Sequence, residues 1–275
     1  MHQPLPRLAI INSFAGFGRI SITASLPIVS VMQVQACPLP TAVLSSHLAY
    51  APCYKKDFTQ HLPEYLNAWE EIGLEFDGLY LGYVSSVEQL DVIEHLWEGK
   101  LLKPNAKILV DPVMGDHGKS YSTVTPELVT KMKEMIKKAQ IITPNITEAC
   151  MLTDTSWCTD PWTDDDLQKI CRKLDPSCNM QIVITGIQEE NYFRNFLWDK
   201  GYPTSLKIPS AGASRPGTGD IFASILSANA LKNKPFLISV QQASEFISAC
   251  IQCSEEVGSP VKEGILFEQN LSRLL

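Results

Sequence analysis

One short run of residues could stabilise and move a phosphoryl group. In Gly217-Thr218-Gly219-Asp220 two glycines flank a threonine, an aspartate follows, and apolar residues then recur at helical spacing. Glycines let backbone N–H groups converge on one point, and a helix N-terminus adds unpaired donors and positive dipole. A carboxylate there could accept a proton from a substrate hydroxyl. The run predicts an anion hole beside a base, but a glycine turn with a capping aspartate explains it equally well.

A second group of polar residues could hold a metal ion. Asp111 ends an apolar run that predicts a strand. Asn145 and Glu148 open a helical pattern three residues apart, so both can point at one site. The oxygens of these side chains suit Mg²⁺, bound directly or through water. The alternative is helix capping by Asn145 and Glu148, which these residues taken alone slightly favour.

Three more polar residues stand at the ends of predicted strands or in a loop. Ser13 follows the first predicted strand and Thr185 ends a later one. Ligands of parallel α/β sheets bind beyond such strand ends. His47 lies in a predicted loop and could hydrogen-bond a ligand, although a histidine considered alone is more often structural.

Gly118-Lys119-Ser120 imitates part of the P-loop pattern for phosphate binding. The first glycine of that pattern would stand where the chain has Val113, and a helix would begin at the lysine. Residues 121–124 instead predict an extended segment, and a helix begins only after the capping Thr125. We therefore expect Lys119 not to cradle phosphate, and its loop to cover the site with Tyr121 at the edge.

The elements that must position these residues alternate along the chain. Strand–helix repeats come first, antiparallel strands follow at residues 191–198 and 204–208, and two helices come last. The pattern also predicts a helix that ends near Val31 despite Pro27, two short strands in 32–44, and helices at 57–72, 87–97 and 236–255. This order predicts a single α/β domain over residues 1–275, with a doubly wound, mostly parallel central sheet flanked by helices. Polar residues at the strand ends would then line one rim.

Composition limits the partners of this chain. Its 275 residues carry a formal net charge of −7, which disfavours a nucleic-acid surface, and no apolar run is long enough to span a bilayer. The N-terminus lacks a signal-peptide pattern, and the eight cysteines are scattered, as in reduced cytoplasmic proteins. We expect a cytoplasmic protein with no nucleic-acid or membrane partner. The Cys250–Cys253 spacing is interpreted as helix thiols, not a zinc or redox site.

Several motifs in combination resemble one family. Residues 111–116 (DPVMGD), 143–148 (TPNITE) and 217–223 (GTGDIFA) occur in this order, as in the pyridoxal kinase family of the ribokinase-like superfamily. Residues 38–41 (PLPT) and 45–47 (SSH), with Gly82-Tyr83, add to the likeness. The resemblance covers most of the chain.

The resemblance implies ATP-dependent phosphorylation of the 5′-hydroxymethyl group of pyridoxal, pyridoxamine or pyridoxine. It implies that Asp220 is the catalytic base and that N–H groups of Gly217, Thr218 and Gly219 hold the transferring phosphate. The residues it assigns to ATP are Asp111, Asn145, Glu148 and Thr185, with Mg²⁺ at Asp111 and Glu148 and a monovalent cation, K⁺ or Na⁺, at Thr143. Those it assigns to the substrate are Ser13, His47 and Tyr83. It also implies a homodimer.

Leu48 and Ala49 depart from the family pattern, which often has a Thr-Gln or Thr-Gly pair there, so the preferred vitamer stays open. Three alternatives compete with the pyridoxal kinase interpretation. Hydroxymethylpyrimidine kinases of the same superfamily usually carry cysteine where Asp220 stands, and sugar kinases do not typically share the DPVMG run. A non-catalytic nucleotide or vitamin binder is disfavoured by the intact Asp220 and its glycines.

Overall fold

Strands and helices alternate along residues 4–275, the part of the chain that the computed structural model describes. The strands are β1 (Arg7–Ala15), β2 (Gln35–Leu44), β3 (Lys55–Asp57), β4 (Phe76–Leu81), β5 (Leu102–Val110), β6 (Gly115–Asp116), β7 (Lys119–Ser120), β8 (Ile141–Ile142), β9 (Gln181–Glu189), β10 (Tyr192–Asp199) and β11 (Tyr202–Pro209). The helices are α1 (Ser21–Val31), α2 (Leu62–Glu71), α3 (Val87–Glu98), α4 (Pro126–Ile136), α5 (Ile146–Thr153), α6 (Asp164–Leu174), α7 (Thr218–Leu231) and α8 (Phe236–Val257).

Nine strands form one sheet in the order β11-β10-β9-β8-β5-β4-β1-β2-β3, and β6 pairs with β7 in a separate hairpin. The six inner strands from β9 to β2 run parallel, while β10, β11 and β3 are antiparallel to their neighbours. The predicted mostly parallel sheet is therefore confirmed. Because parallel strands end at one edge, polar residues in or after β1, β5, β8 and β9 are brought to the same rim. Asp111 and Thr143 follow β5 and β8, but Ser13 and Thr185, which were predicted to stand at strand ends, lie within β1 and β9, because these strands continue further than their apolar runs.

Two hydrophobic cores, one on each face of the sheet, hold the helices in place. Helices α2 to α6 pack on one face, and α1, α7 and α8 pack on the other. Helix α7 is apolar on nearly all sides, and Ile221 and Ile225 are fully buried against the sheet and its neighbours. Burial of one such side chain stabilises the fold by about 1.5–3 kcal/mol. The first turn of α7, which carries Asp220, is therefore anchored by the core.

The two short strands predicted for residues 32–44 form one strand instead, because both prolines point away from β1. The carbonyl of Pro38 accepts a hydrogen bond from Tyr65, so this residue faces the side where β3 does not reach. Pro40 lies two residues further along the strand, so its backbone nitrogen and carbonyl face the same side as those of Pro38. Strand β3 pairs only with residues 42–44 of β2 and therefore does not reach either proline. A proline without an N–H is tolerated at such an unpaired position.

The other element boundaries differ in smaller ways. The helix predicted at 57–72 begins only at Leu62, because β3 and a 3₁₀ turn occupy 55–61. Residues 121–124 form a turn, and the final helix is a 3₁₀ helix at Glu268–Leu274. Helix α1 continues through Pro27 as predicted. All eight cysteines are free thiols, and among the described residues no helix has both the length and the apolar character to cross a bilayer.

Candidate active site

Asp220 is the third residue of α7, and three other elements hold its carboxylate. One oxygen accepts a hydrogen bond from the side-chain amide of Asn12, over 2.8 Å, and a longer one from the Tyr80 hydroxyl, at 3.4 Å. The other oxygen accepts from the backbone N–H of Ser21, over 2.7 Å. The carboxylate is thus fixed in direction by β1, β4 and the start of α1.

Asn12 is itself held rigidly, since it is fully buried and its carbonyl oxygen has two donors. The N–H of Ser13 donates to this oxygen over 2.8 Å, and the N–H of Tyr83 over 3.2 Å. These bonds leave the amide nitrogen free to face Asp220. Burial raises the pKa of the Asp220 carboxyl, and the hydrogen bonds from Ser21, Asn12 and Tyr80 oppose the rise. A carboxylate with a raised pKa is a better general base near neutral pH.

The two glycines before Asp220 differ in the space that a side chain would find. Gly217 has φ 83°, and a Cβ there would lie 1.9 Å from the carbonyl oxygen of Arg19, so only glycine fits. A Cβ at Gly219 would meet only the free oxygen of Asp111, at 3.7 Å. The first N–H groups of α7 have no intrahelical acceptor and open on the cavity that residues 217–220 line. This geometry fits the predicted anion hole, whose role stays a prediction.

Three buried acids lie along this rim. Asp111 accepts a hydrogen bond from the Thr143 hydroxyl over 2.9 Å. Glu148 accepts from the backbone N–H groups of Met114 and Asn145, over 3.0 and 2.8 Å, and completes a capping box on α5. Burial, and secondarily the charge of Asp220, raises the pKa of Asp111 to about 7. Burial and the charge of Asp111 likewise raise the pKa of Glu148. Burial and mutual repulsion thus disfavour the ionised forms of these acids, and a bound cation would favour them.

The donor set fits Mg²⁺ only as a partial coordination shell. One oxygen of Asp111 accepts no hydrogen bond among the described residues and faces the start of α7. Both oxygens of Glu148 already accept N–H bonds, and no three His, Cys, Asp or Glu side chains cluster as metal ligands in the described part of the chain. Magnesium commonly keeps water and substrate phosphate as ligands. Asp111 is therefore the residue best placed to hold Mg²⁺, and Glu148, whose oxygens are already hydrogen-bonded, would contribute less directly.

The residues selected from the sequence all line one cavity of about 860 Å³. They are Ser13, His47, Tyr83, Asp111, Thr143, Asn145, Glu148, Thr185, Gly217, Thr218, Gly219 and Asp220. Their individual roles stay predictions. Thr185 sits beside Asn145 in a parallel β-bridge. The Ser13 hydroxyl donates to the Ser21 hydroxyl over 2.9 Å, and burial lowers the pKa of His47, which favours the neutral ring.

The cavity extends along the rim and has two ends. We call them the β1–β3 end, with Ser13, Leu44, His47, Leu48, Ala49, Lys55 and Tyr83, and the β9–β11 end, with Phe193, Asn195, Ile208, Ser244, Ile247 and Ile251. The carboxylate of Asp220 and the start of α7 line the same cavity. The volume lies in the range of small-molecule binding pockets.

Residues 64–264 match the family described as phosphomethylpyrimidine kinase, which is well over half of the chain. The chain belongs to the phosphomethylpyrimidine kinase family. Its fold is the ribokinase-like fold, and family members in this fold include pyridoxal kinases. The resemblance noted in the sequence is thereby confirmed at the level of the family and of kinase chemistry.

Proteins similar to this chain are described either as pyridoxal kinases or as phosphomethylpyrimidine kinases. A crystal structure from Bacteroides thetaiotaomicron VPI-5482, of a protein described as a phosphomethylpyrimidine kinase and crystallised with pyridoxal, is 31% identical with TM-score 0.92, covering 98% of this chain and 96% of that one. A Schizosaccharomyces pombe protein assigned as a pyridoxal kinase is 30% identical over 69% of this chain, which spans only 57% of that protein. The hydroxymethylpyrimidine/phosphomethylpyrimidine kinase of Aquifex aeolicus is 25% identical over 91% of this chain and 90% of that protein.

Sequence reasoning missed several residues of this kinase site. Asn12, Ser21 and Tyr80 hold Asp220, and Lys55 lines the β1–β3 end. The only local signal was Asn12, a polar residue at the end of an apolar strand. The prediction for Lys119 agrees with its position, since it is exposed on β7 and Tyr121 lines the cavity without it.

Proposed function

We propose that this kinase transfers the γ-phosphoryl group of ATP to the 5′-hydroxymethyl group of a B6 vitamer, pyridoxal, pyridoxamine or pyridoxine. The observation that carries the proposal is the buried carboxylate of Asp220, aimed by Asn12 and Ser21 beside the open N–H groups of α7. A cysteine is usual at this position in hydroxymethylpyrimidine kinases, so the aspartate favours the B6 assignment. The pyridoxal complex of the Bacteroides relative supports the same choice.

In this proposal each group has one task. The vitamer occupies the β1–β3 end of the cavity, with Ser13, His47 and Tyr83 around its ring, and ATP extends towards the β9–β11 end past Thr185. The substrate hydroxyl donates a hydrogen bond to Asp220, which takes the proton as the oxygen attacks the γ-phosphorus. The N–H groups at the start of α7 stabilise the charge on the transferring phosphoryl group.

Metal ions complete the charge balance in the proposal. Asp111, supported by Glu148 and Asn145, would hold Mg²⁺ with the ATP phosphates, and the ion would neutralise charge on the phosphate oxygens. Thr143 is the proposed contact for K⁺ or Na⁺, although its hydroxyl already donates to Asp111. We also propose, from the family resemblance, that the protein is a cytoplasmic homodimer.

Hydroxymethylpyrimidine phosphorylation is the second candidate function. The family name and the Aquifex relative, which matches over nearly the whole chain, favour it. Its substrate also presents a hydroxymethyl group on a flat six-membered ring, so Asp220 could serve it by the same chemistry. The two candidates differ in the ring and not in the reaction.

Steady-state kinetics with both substrate classes test the proposal. The purified protein is given ATP and Mg²⁺ with each of the three vitamers and with 4-amino-5-hydroxymethyl-2-methylpyrimidine. We expect a B6 vitamer to have the highest kcat/KM. A higher value for the pyrimidine would replace the proposal with the second candidate, and no turnover of either class would leave a binding protein.

A further inference from the structure

Lys55 lines the cavity from the edge strand β3. It pairs in register with Leu44 of β2, which lines the same β1–β3 end. Its ammonium lies 3.5 Å from the Tyr83 hydroxyl and 5.8 Å from the centroid of that ring. The next residue, Lys56, points to the other face of the strand, since side chains alternate, and does not line the cavity.

The charge of Lys55 stands out against the rest of the cavity lining. Four carboxylates line the cavity, at Asp111, Asp116, Glu148 and Asp220. Arg215 also lines it, but its buried guanidinium is bound to Glu255 and to the carbonyls of Ser259, Pro260 and Gly264. Within the described residues, no carboxylate lies within ion-pair distance of Lys55. An ammonium without a carboxylate partner beside a substrate pocket suits a ligand group that accepts hydrogen bonds or carries negative charge.

The two candidate substrates differ in this property. The B6 ring is a 3-hydroxypyridine, whose 3-hydroxyl is readily ionised because the ring nitrogen takes up a proton. The aminopyrimidine has no ring hydroxyl and presents an exocyclic amino group, which donates hydrogen bonds and does not accept them well. An ammonium at the pocket wall therefore attracts the ionised oxygen of the first ring, whereas the second ring offers it only neutral ring nitrogens as acceptors.

We propose that Lys55 is a specificity-determining residue that selects the 3-hydroxypyridine ring by donating a hydrogen bond to its 3-oxygen. This inference rests on the proposed B6 function and adds the group that recognises the ring. Leu48 and Ala49, at the same end, offer no polar side chain for that oxygen. Lys55 supplies the discrimination that those positions lack.

Tyr83 connects this recognition to the catalytic carboxylate. Its hydroxyl is the group nearest to the Lys55 ammonium, and its backbone N–H donates to Asn12 over 3.2 Å. Asn12 in turn donates to Asp220 over 2.8 Å. The residue that positions the ammonium is therefore tied to the residue that aims the base, so a ring held at Lys55 lies in a fixed relation to Asp220.

The test compares Lys55→Met with the matched control Lys56→Met. Each enzyme is assayed with pyridoxal, with its analogue lacking the 3-hydroxyl, and with the aminopyrimidine. For Lys55→Met we expect kcat/KM for pyridoxal to fall about 10- to 100-fold, mainly through KM, as for a lost hydrogen bond to a charged group. The deoxy analogue and the aminopyrimidine should change less than about 3-fold, and Lys56→Met should resemble the parent for all three.

A spectroscopic measurement separates ring recognition from a general loss of activity. Pyridoxal is bound to the Asp220→Asn variant, with and without Lys55→Met, and the absorbance bands of the ionised and neutral ring are compared. We expect Lys55→Met to shift the bound ring towards the neutral form. An equal loss for pyridoxal and its deoxy analogue, or an unchanged spectrum, would overturn the role of Lys55 while leaving the B6 function in place. A parent enzyme that turns over no vitamer would overturn both.

Discussion

The side-chain amide of Asn12 donates a hydrogen bond to the carboxylate of Asp220 over 2.8 Å, across 208 positions of the chain. This contact joins the end of β1 to the first turn of α7. It aims the proposed base at the cavity and leaves the second carboxylate oxygen to the N–H of Ser21. With the longer bond from Tyr80 of β4, the direction of the base is set by three segments distant in sequence from its own helix.

Replacement of Asp220 by asparagine should separate chemistry from folding. The amide keeps the size of the side chain but cannot take the substrate proton, and loss of a positioned base costs about 10²–10⁴-fold in rate. We expect kcat to fall by that amount while the fold and ATP binding are kept. The melting temperature should fall moderately, because the new amide nitrogen must face either the Asn12 amide or the Ser21 N–H. Turnover near the parent level would show that another group accepts the proton.

Replacement of Gly217 by alanine should damage the fold of the anion hole. Its φ of 83° and the 1.9 Å approach of a Cβ to the Arg19 carbonyl both forbid a side chain. We expect a loss of stability above about 1 kcal/mol, read from thermal or denaturant unfolding. Gly219→Ala is the matched control, since its Cβ would lie 3.7 Å from Asp111, and its unfolding curve should stay near that of the parent. Equal losses for both variants would contradict the assignment of strain to Gly217.

Asp111 should make stability depend on pH and on Mg²⁺. Its pKa is raised to about 7 in the folded protein, above about 3.9 for an unfolded chain, so the folded state holds the proton more tightly. The contribution of this group to stability is therefore present at low pH and is lost as pH rises from about 4 to about 7. Without Mg²⁺, Asp111→Asn should melt at a higher temperature than the parent at pH 8.

The same variant tests the proposed metal site. Mg²⁺ with a nucleotide should raise the melting temperature of the parent at pH 8 more than that of Asp111→Asn, because the ion neutralises the ionised carboxylate. The Mg²⁺ concentration needed for half-maximal activity should also rise in the variant. An identical Mg²⁺ response in both proteins would place the ion elsewhere.

Lys119→Ala should have a modest effect, although the local sequence imitates a P-loop. The lysine is exposed on β7 and does not line the cavity, while Gly118 before it packs on Trp157 and donates its N–H to Thr147. We expect the KM for ATP and kcat to stay within about 10-fold of the parent, well short of the loss predicted for Asp220→Asn. A loss as deep as that of Asp220→Asn would mean that the hairpin binds phosphate.

The double change Leu48→Thr with Ala49→Gln should alter the choice between vitamers. Both residues line the β1–β3 end, where polar side chains could hydrogen-bond the substituent that distinguishes pyridoxal from pyridoxamine. An unpaired buried polar group costs about 1–3 kcal/mol, so the ratio of the two kcat/KM values should move by about 5-fold or more. The KM for ATP should stay nearly constant. A fixed ratio would show that these positions do not face the bound ring.

Local pattern was sufficient for many elements and failed where neighbours decided the outcome. Helices α3 and α8 follow from periodicity, since their buried faces repeat at helical spacing. Helix α7 and strand β10 were also predicted from local pattern, although the structure buries a continuous run of residues in each. The prolines of β2 suggested a break, but Pro38 and Pro40 face an edge that β3 leaves unpaired. Asp57 was predicted to start a helix, yet it pairs with Ala42 of β2 and ends β3.

The sequence by itself determined the order of strands and helices, the polar residues near the strand ends and the glycine turn before Asp220. These are properties of spacing, and they predicted that polar residues line one rim. The family, and the assignment of Thr143 and Tyr83 to the site, came from motifs that resemble a known family. The tertiary structure alone decided that Asn12, Ser21 and Tyr80 hold Asp220 and that Lys55 faces the cavity. The reason is physical: such contacts depend on how α1, α7 and β3 dock on the sheet, and core packing between distant segments, not local spacing, sets that docking.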